Sequence, residues 1–190
     1  MQTVLDLTAI LLLCLLQALV YIPSLWGGFV FDDILVTERT AFYRRRKTGI
    51  GWQGLFQLLK TGSKRALLYM TFRRDGAIHD HNMLGWHMTN ISIAMVCTTA
   101  VYALLRYPFD MGPAFMGALA FAFYPPAASA IAYISGRSSS MCTMFLLLGV
   151  LAFTCGWYLL VPFCFWLGLQ SKEEIVVMPV VLFLWWVFVL

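Results

Sequence analysis

The chain has 190 residues, of which 61% are apolar and only 12% are charged. A soluble domain is closer to about 45–50% apolar and about 25% charged. The composition therefore excludes a disordered chain, a fibrous repeat and an ordinary soluble enzyme domain, and it indicates an integral membrane protein. The net charge is +4, and its distribution along the chain is more informative than its sum.

The predicted fold is an all-α polytopic membrane protein. A spanning helix takes about 20 residues, so this length allows roughly five or six transmembrane or membrane-embedded helices and one sizeable loop. We expect a single membrane domain over 1–190, made of a first span at 4–22, a long basic loop at 27–85 and a helical bundle at 86–190. The first span lacks a basic leader and a small-residue cleavage site, which favours an uncleaved span over a signal peptide.

The loop is the most polar part of the chain. Apolar residues at helical spacing within it (Trp52, Leu55, Phe56, Leu59) predict an amphipathic helix on the membrane surface. The loop also holds ten of the thirteen basic residues: Arg39, Arg44, Arg45, Arg46, Lys47, Lys60, Lys64, Arg65, Arg73 and Arg74.

The bundle is predicted from apolar runs separated by breaks. Spans are expected at 86–105 and 139–160, and a last span from 175 to the end. A run at 114–123 is too short to cross alone and is broken by Pro125-Pro126, after which 127–134 continues. A short apolar arm is expected at 162–169. The apolar end of the chain indicates either a stop within the membrane or a longer polypeptide.

The orientation of the loop is open. Positive charge favours the cytoplasmic side, but that rule weakens for loops of this length. The alternative is that the charges face the non-cytoplasmic side, where they would hold an anionic ligand such as a phosphate at the membrane surface.

The five cysteines (Cys14, Cys97, Cys142, Cys155, Cys164) all lie in apolar segments and include no CxxC pair. This pattern favours small packing residues over a disulfide framework or a zinc site.

Adjacent carboxylates follow the first span at Asp32 and Asp33. At a low-dielectric boundary two such groups repel each other, and one of them can serve as a general base. Two alternatives stay open, namely binding of a divalent cation and a solvated acidic turn.

Several other polar residues lie at the edges of apolar runs. Arg65 belongs to a second cluster, in residues 65–75. His87 and Asn90 lie one helical turn apart, and interfacial anchoring beside Trp86 is the alternative to a functional role. Arg137, Lys172 and Glu173 are charged residues in apolar surroundings, which marks them as functional candidates. The alternative is a structural salt bridge of Arg137 or Lys172 with Glu173 or Asp33.

Taken in order, these segments resemble the polytopic GT-C glycosyltransferases, and among them the transmembrane and tetratricopeptide-repeat O-mannosyltransferases and their bacterial relatives. The first segment looks like the family's P-x-L-x-G-G-F-V-F-D-D, and the fourth like its A-x-F-A-x-H-P followed by A-W-I-S-G-R. The matching segments are 23–33 (PSLWGGFVFDD), 65–72 (RALLYMTF), 84–90 (LGWHMTN), 120–137 (AFAFYPPAASAIAYISGR) and 169–173 (LQSKE).

The resemblance implies transfer of a sugar from a polyprenyl-phosphate carrier to an acceptor. Asp33 would be the general base or the carboxylate that orients the acceptor, and Asp32 would be the other member of the catalytic acidic pair. Arg137, Lys172 and Arg65 would hold the carrier phosphate, supported by His87, Asn90 and Glu173. The donor would be a polyprenyl-phosphate-linked sugar, and the acidic pair is the only candidate for a divalent cation.

Departures from the family pattern keep a second reading open. The chain has Tyr124 where the family has His, and Ser129 where it has Glu. The alternative is therefore a non-catalytic, GT-C-derived subunit packed against other membrane subunits. Expected partners are the bilayer and a lipid-linked sugar, with no nucleic acid. The expected location is the inner or plasma membrane of a bacterium or the endoplasmic reticulum membrane of a eukaryote, with the long loop on the non-cytoplasmic side.

Overall fold

The computed structural model describes residues 2–36, 38, 60, 64–80 and 82–190. Within these residues the chain is helical and contains no strand. The α-helices are α1 (Gln2–Tyr21), α2 (Ala66–His79), α3 (Met83–Leu105), α4 (Met111–Ala122), α5 (Pro125–Ala132), α6 (Arg137–Thr154), α7 (Leu160–Leu169) and α8 (Met178–Phe188). Short 3-10 helices cover Ile22–Trp26, Ile134–Gly136 and Glu173–Val177.

Three helical stretches are long and apolar enough to cross a membrane: Gln2–Trp26, Met83–Leu105 and Ile134–Thr154. Helices α4 and α5 together pass the same test but are bent by 58° where Pro125 begins α5. Proline has no N–H for a continuous helix, which explains the break. The prediction of an all-α polytopic membrane protein is confirmed, with three spans, or four if the bent pair is one span.

Several elements differ from the sequence-based expectation. The span expected at 139–160 is α6, which ends at Thr154, and the last span expected from 175 is not among the three long apolar stretches, because α8 has only 11 residues. Helix α3 begins at Met83 rather than at Trp86, because the Asn82 side chain caps it by accepting a hydrogen bond from the Leu84 N–H at 3.2 Å. Helix α2 lies inside the stretch predicted as a loop. The predicted surface helix around Trp52 and the basic run 44–47 lie outside the described residues.

Small residues let α4 pack closely against its neighbours. Ala114, Ala118 and Ala122 recur every four residues and are at most 1% exposed. Ala114 and Ala118 belong to a core that includes Leu13 of α1 and Tyr102 of α3. Small side chains at this spacing allow the close backbone approach typical of membrane helix pairs.

An ionic cluster ties α1 to α3 at the end of the bundle opposite to residues 22–36. Asp6 accepts hydrogen bonds from the Tyr102 hydroxyl at 2.6 Å and from Arg106 Nε at 2.9 Å. The hydrogen bond to Asp6 raises the pKa of Arg106 above its usual value. The cluster therefore holds the start of α1 against the end of α3.

All five cysteines are free thiols. Cys97, Cys142 and Cys164 are buried, as expected for packing residues, and Cys14 is half-buried. Cys155 differs, because it is exposed in the turn after α6.

Replacing Gly149 with Val is expected to destabilise the fold by about 1–3 kcal/mol, the usual range for overpacking a core. A Cβ at this position would overlap the Met178 side chain, which is 1% exposed. Thermal unfolding in detergent measures the effect. Gly112→Val is the matched control, because nothing lies within 4 Å of a Cβ there. Adding Met178→Ala should restore part of the loss, and equal melting temperatures for the two glycine variants would contradict the packing explanation.

Candidate functional site

The acidic pair is held by the turn that joins α5 to α6. Residues 32–36 are helical, and Asp33 is 1% exposed while Asp32 is exposed. The Asp32 N–H donates to the Tyr133 hydroxyl at 3.1 Å. Asp33 Oδ1 accepts two hydrogen bonds from Ser135, one from the N–H at 2.8 Å and one from the hydroxyl at 2.7 Å. Two donors on one oxygen fix the plane of the Asp33 carboxylate.

The backbone just before the pair is turned sharply. Phe31 has φ 47°, in the left-handed region that a bulky side chain rarely adopts, and its side chain is 84% exposed. Strain of this kind is typical of functional segments whose direction is set by surrounding contacts. Here those contacts are the bonds from Asp32 and Asp33 to the turn.

Asn90 clamps the same turn from inside the bundle. Its side chain is fully buried, and Nδ2 donates to the carbonyls of Ile131 at 3.2 Å and Tyr133 at 3.0 Å. Asn90 Oδ1 accepts a hydrogen bond from Arg137 Nε at 2.7 Å. Its amide thus connects α3 to both ends of the turn.

Arg137 lies at the centre of the network, and its side chain is 0% exposed. Its Nη2 forms a 2.7 Å ion pair with Asp75 and also donates to the Trp86 carbonyl at 3.1 Å. The guanidinium carbon lies 4.8 Å from the Phe72 ring centroid, within the range of a cation–π contact. The sequence-based expectation placed this residue on a carrier phosphate, whereas here its charge is met inside the protein.

Asp75 is the functional candidate that sequence reasoning missed. It is 1% exposed, and its second carboxylate oxygen accepts a hydrogen bond from the Thr89 hydroxyl at 3.2 Å. One signal in the sequence was usable: a lone arginine in an apolar segment needs a counter-ion. The sequence offered several carboxylates for that role, and the ion pair is with Asp75 rather than with Glu173 or Asp33, which the salt-bridge alternative had named.

Arg65 and Glu173 form an exposed ion pair near the N-terminus of α2. Arg65 Nη2 donates to both Glu173 oxygens, at 3.0 and 2.9 Å. Hydrogen bonding by its own backbone N–H, and then by Arg65, holds the pKa of Glu173 below its usual value. The Leu68 N–H donates to the Gln170 carbonyl at 3.3 Å and so joins α2 to the turn after α7.

Lys172 lies beside α6. Its ammonium donates to the Ser139 hydroxyl at 2.9 Å and pairs with Glu174 at 2.7 Å. The lysine side chain is 22% exposed and that of Glu174 is 61% exposed. Lys172 therefore pairs with Glu174, two residues along the chain, rather than with Glu173 or Asp33.

A cleft of about 420 Å³ lies beside Asp32 and Arg65. Its polar lining comes from four elements: the segment after the first span, the start of α2, the α5–α6 turn and the start of α6. The polar residues that line it are Asp32, Arg65, Tyr69, Tyr133, Ser135 and Ser138. The cleft thus brings one carboxylate, one cation and several hydroxyl groups to the polar end of the bundle.

A second cavity, of about 280 Å³, lies between α1, α3, α4, α5 and α6 and has Ser139 in its lining. Most of its lining is apolar, including Phe121, Pro126 and Ile131. Ser139 lines it and also accepts the Lys172 hydrogen bond, so the ammonium lies next to this cavity.

Two predicted site features have a different setting. His87 is 2% exposed and lies against Gly27, so it packs inside the bundle rather than anchoring the interface. Asp32 and Asp33 are not accompanied by a third His, Cys, Asp or Glu in the described part of the chain that would complete a metal-binding group.

Comparison with known proteins supports a glycosyltransferase relationship. The chain is 28% identical over 147 residues to a protein O-mannosyl-transferase of Caenorhabditis elegans. This alignment covers 72% of this chain and 21% of that protein. It is 30% identical over 142 residues to protein O-mannosyl-transferase Tmtc1 of Drosophila melanogaster. This second alignment covers 70% of this chain and 16% of that protein.

The matched region spans about a fifth or less of each relative. No protein-family model matches the chain. No solved structure matches it. The chain is therefore a membrane protein related in sequence to proteins named as O-mannosyl-transferases.

Proposed function

We propose that the chain forms the acceptor and carrier-phosphate site of a GT-C-like glycosyltransferase that uses a polyprenyl-phosphate-linked sugar. The observation that carries the proposal is the cleft, which places Asp32 and Arg65 in one polar opening at the end of an apolar bundle. The names of the relatives favour mannose as the sugar and a protein as the acceptor.

The proposed reaction is a single displacement. An acceptor hydroxyl oxygen bonds to the anomeric carbon while the bond from that carbon to the phosphate oxygen breaks. The bonding electrons leave with the polyprenyl phosphate, and a carboxylate takes the hydroxyl proton. A general base must be within hydrogen-bond reach of its substrate. Asp32 lines the cleft and is exposed, so we assign it the base role that the family resemblance gives to Asp33.

Asp33 then has the supporting role in the acidic pair. Its buried carboxylate is bound by Ser135, and these hydrogen bonds fix the position of the backbone next to Asp32. Loss of Asp33 would therefore displace Asp32 rather than remove the base itself.

Arg65 and Lys172 are the proposed phosphate ligands. Each is partly exposed and pairs with an exposed carboxylate from the segment after α7, Glu173 or Glu174. Exposed ion pairs contribute only about 0–1 kcal/mol, so a phosphate can displace these carboxylates. Arginine and lysine both bind phosphate well, arginine through its planar fork and lysine as a point charge.

The apolar cavity supports a lipid donor. Ser139, whose hydroxyl accepts the hydrogen bond from Lys172, is one of the residues that line it. A phosphate bound at Lys172 would therefore have an apolar space next to it for the first part of its hydrocarbon chain.

Replacing Lys172 with Gln is expected to raise KM for the lipid-linked donor about tenfold or more, because a hydrogen bond to a charged group contributes about 1.5–3 kcal/mol. The assay measures radiolabelled mannose incorporated into protein from polyprenyl-phosphate mannose in isolated membranes. Lys64→Gln is the matched control, since Lys64 is an exposed lysine that neither lines the cleft nor takes part in the contact between Lys172 and Ser139. An unchanged donor KM in the Lys172 variant would remove this residue from the phosphate site.

A second function is favoured by one observation. Each of the three cations expected to hold a phosphate already has a carboxylate partner, namely Glu173 for Arg65, Glu174 for Lys172 and Asp75 for Arg137. A site neutralised in this way also suits a non-catalytic subunit of a larger membrane complex. A folded protein that incorporates no label in the transfer assay and co-purifies with other membrane subunits would support that function.

A further inference from the structure

We infer that Asp75 is a positioning residue for the acidic pair, acting through Arg137, Asn90 and the α5–α6 turn. The inference rests on the proposed function, because it gives Asp75 a part in holding the same cleft. It assigns to Asp75 no contact with substrate.

The first step is the buried ion pair. Asp75 and Arg137 are 2% and 0% exposed and 2.7 Å apart. Burying two charges is expensive, and replacing such a pair by apolar residues is often neutral or stabilising. Stability alone is therefore a weak reason for this pair, whereas fixing one conformation is a role attested for buried charges in other systems.

The second step is the orientation of Asn90. A guanidinium has only donors, so Arg137 Nε must face the amide oxygen of Asn90. This contact, at 2.7 Å, leaves the amide nitrogen to face the opposite way, toward the carbonyls of Ile131 and Tyr133. Held in place by Asp75, Arg137 therefore selects one of the two flip states of the amide.

The third step joins the turn to the cleft. The turn whose carbonyls are bound by Asn90 also carries the Tyr133 hydroxyl and the Ser135 N–H and hydroxyl. These groups bind the Asp32 N–H and one Asp33 oxygen at 2.7–3.1 Å. An unbroken series of short contacts thus runs from Asp75 to both members of the acidic pair.

A matched ion pair at the other end of the bundle provides the control. Asp6 and Arg106 are 2.9 Å apart, with side chains 29% and 19% exposed, and they also join two helices. Their contacts do not include the α5–α6 turn. Asp6→Asn therefore tests the loss of an interhelical ion pair without loss of the connection to the cleft.

The test is hydrogen exchange in detergent-solubilised protein, which does not depend on transfer activity. In Asp75→Asn, the backbone amides of Asp32 and Ser135 should exchange about tenfold faster or more. The Asp32 N–H donates to the Tyr133 hydroxyl on the turn, and the Ser135 N–H on the turn donates to Asp33. In Asp6→Asn, the same two amides should exchange as in the wild type. Unchanged exchange in Asp75→Asn, or an equal rise in both variants, would overturn the inference.

The transfer assay then separates positioning from general stability. Asp75→Asn should lower kcat about tenfold or more and leave the donor KM within about twofold, because a displaced base reduces catalysis and not phosphate binding. Asp6→Asn should change neither constant. If the wild type transfers no sugar, the proposed function fails and the exchange result alone decides the role of Asp75.

A second variant keeps the test decisive if Asp75→Asn does not fold. Asp75→Asn combined with Arg137→Gln removes both buried charges and leaves an uncharged polar side chain at each position. Glutamine is too short, and has too few donors, to replace the arginine at Asn90, Trp86 and Asp75 together. Fast exchange at Asp32 and Ser135 in this folded variant would support the inference, and wild-type exchange would overturn it.

Discussion

Replacing Asp32 with Asn is expected to lower kcat for sugar transfer by about 10²–10⁴-fold, the usual contribution of a general base. Asparagine keeps the size and the hydrogen bond from the Asp32 N–H to Tyr133, but its amide cannot accept the acceptor's proton. The melting temperature should stay close to that of the wild type, because the Asp32 side chain is exposed. Initial rates of mannose incorporation and thermal unfolding measure the two effects.

Asp33→Asn tests the division of roles between the two carboxylates. It should also lower transfer, but with a lower melting temperature, because its buried oxygen accepts two hydrogen bonds from Ser135. Two measurements distinguish the base itself. The loss of kcat should be larger in Asp32→Asn, and the fall in melting temperature should be larger in Asp33→Asn. The reverse order of the two kcat losses would return the base role to Asp33, and wild-type rates in both variants would refute a catalytic acidic pair.

Replacing Arg137 with Ala is expected to destabilise the protein by about 3–5 kcal/mol, because it leaves the buried carboxylate of Asp75 without a counter-charge. The double variant Arg137→Met with Asp75→Leu should recover most of that loss, since both charges are then removed and the volume is filled. Thermal and denaturant unfolding in detergent measure these changes. Arg65→Ala is the matched control, because it breaks a partly exposed ion pair worth about 0–1 kcal/mol.

Two outcomes would contradict this account of Arg137. If Arg137→Ala unfolds at the wild-type temperature, the buried pair does not hold the helices together. If it keeps its stability but loses donor binding, Arg137 contacts the carrier phosphate directly, as the family resemblance implies.

Much of the fold could be predicted because it depends on local composition. Apolar runs identified the spans, and Pro125-Pro126 identified the bend, since a missing N–H has a local effect on any helix. The first residue of α3 could not be predicted in the same way, because the start of this helix depends on an N-cap by Asn82. Helix α2 was missed because its polar residues pack against the bundle instead of facing water, so its apolar pattern is weak.

The sequence identified most residues of the candidate site, but it did not identify which of them contact each other. The sequence singled out Arg137 and Asn90, which contact each other, and Arg65 and Glu173, which also do. Pairing depends on which helix ends meet in space, and the chain offers several carboxylates for each cation. This is why Asp75, placed by α2, was not recognised as the partner of Arg137.

Helix α7 has a consequence for the lipid around the protein. Its ten residues extend only about 15 Å at 1.5 Å per residue, half of a hydrocarbon core of about 30 Å. Leu160, Phe163 and Trp166 on its outer face are exposed in the described part of the chain. If lipid chains cover this short face, hydrophobic mismatch of this size would thin the leaflet locally. Lys172 and Glu174, just beyond the end of α7, would then be reached by headgroups descending along this dip, which offers a lateral route for a lipid phosphate from the bilayer to the site.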